Sequence, residues 1–238
     1  MLSTPLLKLP LLFSGGILLH KATFAPNPPP KPDAVARFTQ RDTIARIVNL
    51  VPTINMAVTW TVTLAEAAVI LAQTEHISTP MLSYLTFGRP SLSRQLGISP
   101  LFAAGWALAA FGSTIRILCF RHLGRQFTYN LSIVDDHKLI TNGPYAIVRH
   151  PSYTGWMSLA VGSVLMLVAP GSWLAESEVL RSVGGRVAIS LYAAFQAYII
   201  AMLFPRMKRE DEALKAQFGD EWVEWTKRTP YRLIPGIY

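Results

Sequence analysis

Four stretches of the chain run without a charged side chain for the length of a membrane crossing. They are residues 47–65, 98–115, 152–175 and 187–205, of 19, 18, 24 and 19 residues. The first extends past Glu66 to residue 73. A helix of about 20 mostly apolar residues crosses a hydrocarbon core of about 30 Å, so each stretch predicts a membrane span. A fifth apolar run, residues 6–19, contains Lys8 and is uninterrupted only over residues 9–19. That length also suits a signal-peptide core, but no small-x-small cleavage pattern follows Leu19, and a retained helix is the preferred reading. Glu66 reads as the end of its span in preference to a functional intramembrane acid, and Arg116 reads as sitting at a helix end. The fold expected is all-α, a polytopic membrane helical bundle of about five transmembrane helices with a C-terminal unit outside the lipid.

The punctuation agrees. Residues 26–32 (PNPPPKP) cannot be helical and predict a short extended polyproline spacer. Gly105 and Gly112 share one helix face, as do Gly155 and Gly162, and small residues at such spacing let membrane helices approach closely. Residues 1–97 form an N-terminal membrane segment of two spans and a Pro-rich linker, and residues 98–238 hold the remainder with its polar tail.

Charge orients the bundle. With five spans and the N-terminus outside, sixteen basic residues fall on the cytosolic side, among them Lys21, Arg46, Arg121, Lys138, Arg149 and seven after Phe204, against five opposite. That asymmetry is the positive-inside pattern. The net charge of +8 is therefore a topology signal and not a nucleic-acid footprint. Only 15% of residues are charged and 51% are apolar, which excludes a disordered chain and a soluble nucleic-acid binder. A single cysteine, Cys119, excludes an intrachain disulfide and a multi-cysteine zinc site, and no metal is expected.

Candidate chemistry lies outside the spans. Residues 121–150 are too long for a tight connection and contain Asn142-Gly143-Pro144, a strong turn signal. Pro151 suits the first turn of the next helix, which sets His150 at a helix N-terminus where unpaired N–H groups face outward. Arg206, Glu210, Leu214 and Phe218 recur every four residues on a polar continuation of the last span. Gly219 reads as its C-cap and Asp220 as the N-cap of a short helix carrying Trp222 and Trp225, residues that suit a headgroup layer. Pro230 and Pro235 leave an irregular finish. Singly, each polar residue has a structural explanation. Together, two tyrosines, a histidine, an arginine and an acid at the edge of two consecutive spans describe a small-molecule pocket.

Residues 137–153 (HKLITNGPYAIVRHPSY), with Arg206-x-x-x-Glu210-Asp211-x-x-Leu214-x-x-x-Phe218-Gly219 and the closing Arg-Thr-Pro-Tyr-Arg-Leu-Ile-Pro-Gly, resemble the isoprenylcysteine carboxyl methyltransferase family. The resemblance covers about residues 98–238. It implies a cytosolic C-terminal cofactor-binding unit, S-adenosyl-L-methionine as methyl donor, and the C-terminal carboxylate of a prenylated cysteine in CaaX-type proteins as acceptor. It also implies membrane-lipid surroundings, no nucleic-acid partner, and an endoplasmic reticulum location with the site on the cytosolic side. Carried onto this chain, the cofactor contacts are His137, Lys138, Leu139, Ile140, Tyr145, His150, Pro151, Ser152, Tyr153 and Glu210, and Arg206 is the catalytic, substrate-engaging residue. The acidic pair departs from the family's usual two glutamates, since Asp211 follows Glu210.

The chemistry implied is simple in charge. A peptide carboxyl group, with pKa about 3.3–3.7, is already ionised at neutral pH and needs no base. Two alternatives stay open: a phospholipid N-methyltransferase acting on a phosphatidylethanolamine-type amine, and a non-catalytic membrane scaffold.

Overall fold

The computed structural model describes residues 5–29, 47, 50–74, 80–88, 95–129 and 137–238. Among the described residues every regular element is helical: α1 (Lys8–Thr23), α2 (Leu50–Thr74), α3 (Pro80–Leu85), α4 (Pro100–Leu123), α5 (Pro151–Val168), α6 (Trp173–Glu176), α7 (Glu178–Arg181), α8 (Val183–Phe218) and α9 (Asp220–Arg228). Pro80, Pro100 and Pro151 each open a helix, where a missing N–H has no intrahelical partner to lose. Pro205 lies inside α8, and the 36-residue helix continues through it.

Among the described residues four helical stretches are long and apolar enough to cross a membrane: Leu50–Ala72, Pro100–Gln126, Pro151–Glu176 and Val183–Phe218. The chain is a multi-pass membrane protein. The expected fifth span is the 16-residue α1, whose rise of about 24 Å falls short of the roughly 30 Å core. Residues 26–29 are non-helical, and the rest of the polyproline segment lies outside the described residues, as do Lys31, Arg37, Arg41, Arg46, Arg89 and Arg94 of the charge count. Two expectations are corrected. Glu66 is not a span end, because α2 runs on to Thr74, and Arg116 is not a helix end, because α4 continues to Leu123. Both side chains are buried.

The chain divides into two compact units, each assembled from three stretches. The first comprises Met1–His20, Ile54–Ala110 and Ser158–Gln196. Its core gathers Leu12, Val69, Ile70, Leu96, Phe102 and Trp173. Inside that core the Lys8 ammonium meets Glu66 at 2.5 Å and donates to the Gly171 carbonyl at 2.8 Å, while the Trp173 N–H donates to the same carboxylate at 3.1 Å. Close approach explains the glycines: a Cβ on Gly162 would stand 2.5 Å from the Gly105 carbonyl oxygen and from the Ala109 nitrogen. A buried polar set completes the unit, with Tyr192 Oη and Gln196 Nε2 donating to Asn55 Oδ1 at 2.9 and 3.0 Å.

The second unit comprises Lys21–Thr53, Phe111–Met157 and Ala197–Tyr238. Cys119, Tyr145 and Trp225 form its buried cluster, flanked by Ile115, Leu123, Leu139, Ile140 and Trp222. Here Gly155 admits the backbone of α4, since a Cβ would lie 2.7 Å from the Gly112 oxygen. This unit contains the residues singled out by chemistry.

Candidate functional site

Three arginines, Arg116, Arg149 and Arg206, line one cavity of about 170 Å³ in the second unit, and the first and last of them are buried. Arg116 is only 3% exposed. Its Nε donates to the Ala22 carbonyl at 2.8 Å, its Nη1 to the Ser152 carbonyl and hydroxyl at 3.2 and 3.0 Å, and its Nη2 to the Tyr129 hydroxyl at 3.3 Å. The group also lies over the Trp156 ring, 4.9 Å from its centroid. Every one of these partners is neutral, so the cavity wall holds a buried cation without a carboxylate partner among the described residues. Burying such a charge costs several kcal/mol unless an anion joins it. Arg206, also buried, follows Pro205 on α8 and donates to the Tyr129 carbonyl.

One helical turn after Arg206, Glu210 faces the same cavity. Its carboxylate accepts from the Tyr153 hydroxyl at 2.7 Å and keeps 32% side-chain exposure. Successive helical residues point about 100° apart, and Asp211 accordingly turns away from the cavity. It pairs with His150 Nε2 at 3.1 Å, Arg149 at 3.3 Å and Arg232 at 3.1 Å. His150 lies flat against Tyr153, with centroids 5.4 Å apart and planes 8° from parallel.

The segment before α5 is pinned at both ends. Gln126 holds Lys138 through two hydrogen bonds, accepting from its N–H and donating to its carbonyl. The turn Gly143–Ala146 carries Tyr145 inward; Gly143 has φ +59°, and a Cβ there would collide with the His122 ring at 2.3 Å. The N–H groups of Arg149 and His150, just ahead of the first turn, donate to the carbonyls of Tyr231 and Arg232, both at 2.9 Å, so the irregular finish of the chain is bound to the entry of α5. Thr154 adds a hydroxyl bond to the Leu233 carbonyl at 2.8 Å.

The tail departs from expectation twice more. Asp220 is the first residue of α9 and not its cap; Gly219, with φ +53°, occupies the cap position. Trp225 is not a headgroup anchor: it is 2% exposed, lines the cavity, and its indole donates to the Tyr145 carbonyl at 3.2 Å.

Burial dominates the ionisation of the groups here. It pushes the Tyr145 hydroxyl well above the ordinary phenol value of 10, so that group stays protonated. It likewise holds His137 below the ordinary 6.5, with the Glu210 charge pulling weakly the other way.

Of the residues expected from sequence, His137, Lys138, Leu139, Ile140, Tyr145, Ser152, Tyr153, Arg206 and Glu210 line this one cavity. His150 and Pro151 do not line it; His150 stands behind Tyr153 and Glu210. Sequence reasoning missed Arg116, Tyr129 and Trp156 on the wall. Trp156 lay one turn beyond Ser152 on the same helix face, a signal available in the spacing. Nothing in the local pattern around Arg116 separates a cavity-lining cation from a boundary charge.

Comparison with known proteins places a name beside this geometry. Residues 105–216 match the model of the isoprenylcysteine carboxyl methyltransferase family. The chain is 31% identical over 134 residues to protein-S-isoprenylcysteine O-methyltransferase B of Arabidopsis thaliana, covering 52% of this chain and 58% of that protein. It is 29% identical over 144 residues to protein-S-isoprenylcysteine O-methyltransferase of Homo sapiens, covering 59% and 44%. Delta(14)-sterol reductase of Neurospora crassa is 29% identical over 169 residues, covering 61% and 34%. The chain spans about half the length of the curated relatives it matches. Because differently named activities share this similarity, the chemistry has to be argued from the groups in the cavity.

Proposed function

From the match of residues 105–216 to the model of the isoprenylcysteine carboxyl methyltransferase family, we propose that the chain is a membrane methyltransferase. It uses S-adenosylmethionine to methylate the C-terminal carboxylate of a prenylated cysteine in CaaX-type proteins. The observation that carries the reading is the pair of buried guanidinium groups, Arg116 and Arg206, on one cavity wall. Guanidinium grips a carboxylate through parallel hydrogen bonds. The same two charges repel an ammonium headgroup, which disfavours the amine-lipid alternative.

The residues present fit the methyl donor. Glu210 is the one carboxylate on the cavity wall among the described residues, suited to a cationic ligand. Tyr145, Trp156 and Trp225 supply aromatic surface. His137 Nδ1 and Trp156 Nε1 are buried polar atoms with no hydrogen-bond partner among the described residues, available to a ligand. Bound here, S-adenosylmethionine supplies an electrophilic methyl group on a sulfonium. His137, Lys138, Leu139 and Ile140 form one edge of its seat, and Tyr145, Ser152, Tyr153 and Glu210 the other. His150 supports that edge from behind, against Tyr153 and Glu210.

The rest of the task is positional. Arg206 and Arg116 orient an acceptor that is ionised without help, and holding two reactants in line supplies a high effective molarity. A dry aromatic wall favours a step in which opposite charges neutralise each other. Membrane residence follows from the acceptor: about 0.8 kcal/mol per buried CH₂ keeps a prenyl chain in lipid. The basic side chains that flank the spans support a cytosolic site, in keeping with an endoplasmic reticulum location.

The test is a methyl-acceptor assay on the purified chain with S-adenosylmethionine. Methylation of a farnesylcysteine analogue with none of phosphatidylethanolamine is expected. The reverse selectivity establishes the amine reading, and no saturable cofactor uptake by calorimetry establishes a scaffold.

A further inference from the structure

Asp211 lines no part of the cavity, yet three side chains from two stretches of the second unit converge on it. His150 Nε2 lies 3.1 Å from one carboxylate oxygen; Arg149 Nη1 and Arg232 Nε lie 3.3 and 3.1 Å from the other. Its side chain is 6% exposed. That is a dense cluster of charge around a residue outside the cavity lining.

The geometry leads one step outward. Glu210, the cavity's carboxylate, is held by the Tyr153 hydroxyl at 2.7 Å. The Tyr153 ring lies parallel to the His150 imidazole at 5.4 Å, and His150 Nδ1 stands 3.7 Å from the same Glu210 oxygen. A carboxylate only accepts, so the hydrogen shared by His150 and Asp211 resides on Nε2. The imidazole plane is thereby fixed, and with it the surface on which Tyr153 rests. Arg232 belongs to the closing strap of the chain. That strap is stitched to the α5 entry by the bonds from the Arg149 and His150 N–H groups to Tyr231 and Arg232, and by Arg149 Nη2 to the Pro230 carbonyl at 3.3 Å.

We propose that Asp211 is a positioning residue, the hub through which His150 and the strap residue Arg232 set the Glu210 carboxylate for the methyl donor. The inference rests on the reading of this cavity as a cofactor site. It assigns His150 a supporting role without ligand contact and explains why an acid follows Glu210. Consecutive helical positions serve two faces, one toward the ligand and one toward the hub.

The experiment measures S-adenosylmethionine affinity by calorimetry on the full chain, for wild type, Asp211→Asn, Asp211→Glu, Arg232→Gln and the Asp211→Asn/Arg232→Gln double variant. A parallel readout follows hydrogen exchange at the Arg149 and His150 amides. Displacement of about 1 Å in a binding group costs on the order of 10- to 100-fold. Asp211→Asn is therefore expected to weaken cofactor binding by that factor and to speed exchange at both amides. The KM of the prenylcysteine acceptor at saturating cofactor should stay within about threefold. Asp211→Glu, which keeps the charge, restores most of the affinity. Arg232→Gln weakens binding in the same direction, and the double variant falls short of additivity because both act through one network. Wild-type affinity in a folded Asp211→Asn chain overturns the proposal. Should that variant fail to fold, wild-type affinity in Arg232→Gln overturns it instead. A wild-type chain that takes up no cofactor overturns the function reading, and this inference with it; wild-type uptake matched by every variant overturns this inference alone.

Discussion

The two units treat buried charge in opposite ways. In the unit of Met1–His20, Ile54–Ala110 and Ser158–Gln196, base and acid meet inside the protein: Lys8 finds Glu66, and each also bonds the backbone, through Lys8–Gly171 and Trp173–Glu66. The crevice beside Glu66 measures only about 30 Å³. In the other unit three arginines, Arg116, Arg149 and Arg206, and one carboxylate line a cavity of about 170 Å³, and the partners of Arg116 among the described residues are neutral. A closed set of charges holds helices together, while an open one marks where a ligand completes the set. Both kinds occur in one membrane protein. What separates them is whether, among the described residues, an acid stands beside the buried cation.

The sharpest way to break this contrast is to open the closed set. Lys8→Met strands the Glu66 carboxylate in a buried site and is expected to cost about 3–5 kcal/mol of stability. Adding Glu66→Leu should recover most of that loss, and cofactor affinity should not change in either chain. Denaturation of the detergent-solubilised protein measures the first two effects. A single-variant cost under about 1 kcal/mol would show that the pair is not closed in the sense argued.

The open set gives the next effect. Arg116→Met removes a guanidinium that the acceptor carboxylate is expected to use, lowering kcat/KM for a farnesylcysteine analogue by about 10- to 100-fold, or about 1.4–2.7 kcal/mol of transition-state stabilisation. S-adenosylmethionine affinity should be retained. Unaltered acceptor kinetics would assign the carboxylate to Arg206 alone.

The smallest effect is a pH slope. Burial lowers the His137 pKa in the folded chain below the 6.5 of the free imidazole. As pH falls through 6.5 the unfolded chain takes up a proton that the folded chain refuses, so stability drops with acidification. The loss stops once pH passes below the folded value. Stability measured at about pH 7.5 and about pH 5.5 should therefore show a difference in wild type that shrinks in His137→Gln. An unchanged difference would remove His137 from the buried wall.

Much of this architecture was legible from the order of residues. Charge-free runs mark the four long spans, because a membrane tolerates no other helix surface. Asn142-Gly143-Pro144 marks the turn that carries Tyr145 inward, because only glycine accepts φ +59° against the His122 ring. The four-residue spacing of Arg206 and Glu210 shows that they share a face. The errors have one origin. Along a sequence, a charge next to an apolar run looks like a boundary, and Glu66 and Arg116 were both read so. Their partners, Lys8 for the one and Ala22, Ser152 and Tyr129 for the other, are brought in by folding.

Local pattern by itself determined which segments enter lipid, where the chain turns, and which side chains ride together on one helix, since each depends on neighbours within a few residues. Tertiary structure alone decided which of two adjacent acids faces the cavity, which buried cation has no acid beside it among the described residues, and what binds the entry to α5. Those outcomes turn on contacts between residues as far apart as His150 and Asp211, or Arg149 and Tyr231. Electrostatic energy depends on distance in space and on the water excluded around it, and neither is written in the order of the residues.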